Sequence, residues 1–199
     1  MATSTSILQF WFGSDPDASM SDSTFSNLWW SKNDETDARI KEEFGAVVQD
    51  AAAGALESWK QTPEGRLALI ILLDQFPRNI FRNSARAFAY DPIALELAVE
   101  GIDLGHHLQV RPIQRVFWFL PLEHSESIAH QNTCVDLFTE LADTVPGDMR
   151  EAMLGYLDYA KQHREVIERF GRFPHRNEVL ERESTPDEKD YLSQPGAGF

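Results

Sequence analysis

The segment Phe170-Gly171-Arg172-Phe173-Pro174-His175-Arg176-Asn177 gathers two arginines, a histidine and an asparagine beside two aromatic rings. A shorter echo, Asp74-Gln75-Phe76-Pro77-Arg78-Asn79, repeats the order Phe-Pro, base, Asn. Between them lies Pro121-Leu122-Glu123-His124-Ser125-Glu126, an imidazole flanked by carboxylates. Arginine presents a planar fork of donors suited to carboxylate or phosphate. Histidine exchanges protons near neutral pH, and a carboxylate can orient it. These residue types suit capture of an anionic small molecule and proton transfer to or from it.

On this reading Arg78, Arg172 and Arg176 hold the anion. His124 or His175 moves the proton, and Asp74 or Glu126 orients the imidazole. Asn79, Glu123, His163 and Asn177 complete the pocket. The opposing reading is structural: Asp74, Glu123 and Glu126 neutralise the arginines and fix helix junctions. The sequence leaves both open. A nucleophilic triad at Ser125 is disfavoured, because no Gly-x-Ser-x-Gly surrounds it. Adjacent residues on a helix do not face one another, so a base for Ser125 must be another histidine, such as His163 or His175. Glu126 and His130 share a helix face but miss the Glu-x-x-His spacing of bundle metal sites. His106 and His107 are adjacent, which suits chelation poorly. No metal and no cofactor is expected, and no Gly-rich phosphate loop occurs.

The net charge of -14 disfavours binding to nucleic acid or an anionic membrane. Against that background 13 of the 18 cationic side chains are arginines, so bidentate contacts are favoured over point charges. They cluster as Arg78, Arg82 and Arg86, and as Arg164, Arg169, Arg172 and Arg176. The single Cys134 allows no intrachain disulfide and reads as a small core residue in a reducing, cytoplasmic setting. Residues 1–6 lack the basic and apolar stretches of a secretory signal. The longest apolar run, Leu67 to Leu73, is far short of the roughly 20 residues that span a bilayer.

The elements that must position these groups read as helices throughout. Residues 7–12 form a short helix ended by Gly13, and 14–28 a loop ended by Trp29-Trp30, which anchor it. Apolar residues of 34–59 recur at steps of three and four from Ile40 to Ala55, with Asp34 as cap and Gly54 as a break. Thr62-Pro63-Glu64 opens a buried central helix that Pro77 stops. Asp91-Pro92 starts another helix that Gly105 ends. A segment after Arg111-Pro112 is broken at Pro121 and followed by a helix over 122–142. Asp148 caps a long helix to Phe170. Thr185-Pro186-Asp187-Glu188 starts a last short helix, with Glu188 at the capping-box position, and 193–199 is a tail. The expectation is one all-α domain over 1–199, with eight or nine antiparallel helices.

Ile7 to Gly13, Trp29-Trp30, Leu72 to Asn79, Pro121 to Glu126 and Arg169 to Asn177 resemble the motifs of the DUF924 family of uncharacterised bacterial and fungal proteins. Ser184-Thr185-Pro186 and Phe199 also fit. The resemblance spans nearly the whole chain. It implies a tetratricopeptide-like α-α superhelix and brings no established activity. Such a scaffold offers an alternative function: gripping a peptide or protein partner in a groove. One departure stands out. Where family members usually carry Gly after the Leu of the terminal segment, this chain has Glu181.

Overall fold

The computed structural model describes residues 2–14 and 23–198; the expected match at Phe199 and part of the expected 14–28 loop lie outside them. Among the described residues the chain is all-α, without strands: α1 Ser4–Phe12, α2 Ser23–Trp30, α3 Asp34–Ala52, α4 Pro63–Ile70, α5 Phe76–Ile80, α6 Asp91–Asp103, α7 Pro112–Glu123, α8 Ile128–Thr144, α9 Gly147–Phe170 and α10 Pro186–Leu192. Short 3-10 turns join several of them. The chain divides into two compact units, 1–82 with 86–121, and 83–85 with 122–199.

In the first unit α4 is the central element. Leu67 to Leu73 are almost wholly buried, as an apolar surface on every side demands. Thr62 caps α4 through the Gly65 amide, with Pro63 in the first turn. The helix packs against α1 and α6, while α3 packs on α5. Phe117 of α7 gathers the rings of Trp11, Phe12, Trp29 and Trp30 at 5.0–5.7 Å.

Several boundaries differ from expectation. Residues 23–30 are helical, not loop. The face carrying Phe25 and Trp29 docks, with the Trp29 indole donating to the Trp11 carbonyl at 2.8 Å. Asn33, not Asp34, caps α3, accepting from the Thr36 amide. That helix ends at Ala52 instead of running to Trp59, and Gly54 turns left-handed at φ 77°. Pro77 does not stop the central helix. Residues Ile71–Gln75 form a π turn in which the Phe76 amide bonds Ile71, five residues back. The added residue lets Pro77 fall in the first turn of α5, where its missing N–H costs little. Pro121 likewise lies inside α7, which runs on to Glu123 because Val116 to Leu122 are buried. Asp91 is not a cap; it sits in the first turn of α6 and binds Arg78. Pro146, not Asp148, occupies the cap position of α9.

The second unit is built on the helical hairpin of α8 and α9. Cys134, Phe138, Met153, Ala160 and Ile167 are buried there. Cys134 is a core residue as expected, and burial raises its thiol pKa well above the ordinary value. Gly171 ends α9 at φ 69°, its amide on the Ile167 carbonyl at 2.8 Å. Thr185 and Glu188 form the expected reciprocal capping box of α10.

Candidate functional site

Phe173 is wholly buried in the second unit, and several polar side chains gather around its ring. His163 and His175 approach its ring at 5.6 Å, and the Arg176 guanidinium lies 4.5 Å over it. His124 and His163 have ring centroids 6.5 Å apart. Arg176 donates to the His124 carbonyl at 3.1 Å. The Glu123 carboxylate comes within 3.5 Å of His163 Nδ1. The end of α7, the middle of α9 and the 3-10 turn Pro174–Arg176 thus bring Glu123, His124, His163, His175 and Arg176 together.

Electrostatics hold two of these imidazoles in the neutral form. Burial pushes the His163 imidazole down to about 3, and the nearby His124, Arg176 and His175 push the same way. Burial, then Arg176 and His124, holds His175 near 4. Both imidazoles are therefore neutral at pH 7. The approach of Glu123 to His163 is accordingly not an ion pair, although its distance would allow one. His163 Nδ1 faces the Tyr159 carbonyl at 2.9 Å. A carbonyl only accepts, so Nδ1 carries the proton and Nε2 the lone pair.

A second layer fixes this assembly. Glu126 accepts from the Phe173 amide at 2.7 Å and from both terminal nitrogens of Arg182. Arg182 also donates to the Phe173 carbonyl at 3.0 Å. Arg172 grips Glu188 through two bonds of 2.6 and 2.8 Å, so its fork is engaged. Asn177 donates to the Ser184 hydroxyl at 3.0 Å. The sequence reading missed Arg182 because it stands alone, outside any arginine cluster.

The break between α7 and α8 produces a further pair. Ser125 Oγ and His130 Nδ1 are 2.9 Å apart. Gln131, fully buried, donates to the Glu123 and Ser125 carbonyls at 2.6 and 2.8 Å and sets this geometry. The sequence points to His163 or His175 as a partner for Ser125; the break between α7 and α8 brings His130 there instead.

Asp74, Arg78 and Asn79 belong to the first unit and have their partners there. Asp74 is fully buried in the π turn and accepts from Gln75 and Arg78. Arg78 forms a bidentate pair with Asp91 at 2.9 and 3.0 Å. Asn79 and Arg82 both bind Asp37, and Arg86 lies over the Phe81 ring. An open depression of about 720 Å³ between α1 and α3 is lined by Gln9, Phe10, Arg39, Glu43 and Phe44, none from either cluster. Among the described residues no group of three or more His, Cys, Asp or Glu could hold a metal ion, and no helix is long and apolar enough to cross a membrane.

A family model described as "Bacterial protein of unknown function (DUF924)" matches residues 7–196, and the chain belongs to that family. No curated protein matches it. A solved structure, the protein of unknown function ATU0120 from Agrobacterium tumefaciens, is similar at a TM-score of 0.81 and 39% identity. The match covers 96% of this chain and 97% of that one.

Proposed function

We propose that this DUF924 member binds the anionic group of a small molecule at His124, His163, His175 and Arg176 in its second unit. The observation that carries this reading is the pairing of a buried guanidinium with two imidazoles kept neutral beside it. Arg176 carries a positive charge beside neutral hydrogen-bonding rings, and the nearby Glu126 carboxylate is taken up by Arg182 and the Phe173 amide, which favours an anion there in an otherwise acidic protein. Arg176 is the anchor, His124 or His175 the proton-transfer group, and the second layer around Glu126 holds the frame. Chemistry at such a site needs no bound cofactor, which suits a hydrolase. A cytoplasmic location accords with the single, buried cysteine.

A thermal-shift screen of phosphorylated and carboxylated metabolites tests this. A ligand at a hundred times its dissociation constant stabilises the fold by about 2.7 kcal/mol. The gain should disappear in Arg176→Gln and shrink with salt.

The second reading is a tetratricopeptide-like scaffold for a peptide or protein partner. The α8–α9 hairpin supports it, since Tyr159 and Leu154 are exposed on α9. It takes over if no anion shifts the midpoint and an extended peptide does.

A further inference from the structure

The geometry points to Ser125 as an acyl-accepting nucleophile with His130 as its general base, making the second unit a serine esterase. The pair lies 2.9 Å apart through Oγ and Nδ1, the contact such chemistry requires. Ser125 is also held rigidly. Its amide donates to the Leu122 carbonyl at 3.2 Å, and its own carbonyl accepts from Gln131 at 2.8 Å. Gln131 and His130 are neighbours on the first turns of α8, so one helix end fixes both the backbone and the base. Both members of the pair are partly, not fully, buried, which leaves a substrate a route to Oγ.

The reaction balances with water as the second reactant. Ser125 Oγ attacks the acyl carbon of a carboxylic ester while its proton passes to His130 Nδ1. The tetrahedral intermediate collapses, the C–O bond to the alcohol breaks, and the leaving alkoxide takes that proton. Water then attacks the acyl-enzyme, gives a proton to Nδ1, and the ester to Ser125 breaks as its oxygen recovers the proton. Ser127 occupies the cap position of α8 and makes no side-chain bond to its first turn. Arg176 binds the carbonyl of His124, the residue before the nucleophile, so an ester carrying an anionic group is the expected substrate class. That choice of substrate rests on the anion-site reading; the nucleophile does not.

The test is covalent. Folded wild-type protein is treated with a neutral fluorophosphonate and its peptides are mapped by mass spectrometry. A single adduct at Ser125, absent from heat-unfolded protein and slowed at least tenfold in His130→Gln, supports the assignment. No adduct at Ser125 in folded wild type overturns it, and so does an adduct that forms as fast in His130→Gln. The rate in His130→Gln counts only if that variant melts as wild type does; if it does not, the comparison of folded with heat-unfolded wild type decides alone. Labelling of Ser125 in a protein that ignores every anion in the thermal screen would retain the esterase and discard the anionic substrate.

Discussion

Glu126 and Arg182, 56 residues apart, are joined by two parallel hydrogen bonds of 2.7 and 2.9 Å. Burial disfavours the Glu126 carboxylate, yet Arg182 and the Phe173 amide outweigh it and hold its pKa below the usual value. The pair ties the segment after α7 to the Phe173 turn. A double-mutant cycle of Glu126→Gln and Arg182→Met should give a coupling of about 1–2 kcal/mol in urea unfolding. A coupling near zero would reduce the pair to a surface contact.

Arg182 reaches Glu126 because the preceding residue turns left-handed. Glu181 has φ 54°, the Arg182 amide bonds the Asn177 carbonyl at 2.8 Å, and the Glu181 amide bonds Glu178. This is a Schellman-type closure, in which glycine is preferred at the Glu181 position. The departure seen in the sequence therefore falls on a strained backbone. Glu181→Gly should raise stability by about 1 kcal/mol, read as an increased Tm. A lowered Tm would mean that the glutamate side chain contributes more than the strain costs.

Acid should destabilise the second unit in two stages. His163 and His175 have folded pKa values near 3 and 4, below the ordinary 6.5. The unfolded chain therefore binds more protons, and stability falls as pH drops below about 6.5. For His175 the full loss is about 3 kcal/mol, complete below pH 4. Arg172 chiefly holds Glu188 near 2, so its contribution fades between the usual carboxylate value and pH 2. Urea midpoints from pH 8 to pH 4 check the first stage. His163→Gln with His175→Gln should flatten it, and an unchanged slope would refute the assignment.

Two glycines in helices should respond in opposite directions. A Cβ on Gly101 would lie 2.3 Å from Trp118 Cζ2 and 2.6 Å from Arg66 Cδ. Trp118 is fully buried and its indole donates to the Ala98 carbonyl, so the ring cannot yield. Gly101→Ala should cost about 1–3 kcal/mol. Gly155 in α9 meets nothing within 4 Å, and Gly155→Ala should gain about 0.5–1 kcal/mol. Thermal melts of the two variants moving in the same direction would contradict the packing.

Helical class was legible because apolar residues such as Ile40, Phe44, Val47 and Val48 recur at helical spacing and all are buried. Caps at Thr62 and Thr185 were legible because short polar side chains reach local amides. The prolines misled. Pro77 and Pro121 look like stops, but a π turn absorbs the first and core burial carries α7 through the second. At the candidate site, the residue types of Glu123, His124, His163, His175 and Arg176 pointed to a charged cluster, and the second unit assembles them. The salt-bridge partners Asp37, Asp91 and Glu188 could not be read, because each lies on another element and only the tertiary fold selects it.

The central claim is that an anion binds beside Arg176. The most direct measurement follows the His175 imidazole by NMR through a pH titration, with and without inorganic phosphate. A bound anion stabilises the charged ring, so the midpoint should rise from near 4 toward the ordinary 6.5, and the rise should be lost in Arg176→Gln. A His175 midpoint that stays near 4 at saturating phosphate and at every carboxylated or phosphorylated metabolite tried would contradict the claim.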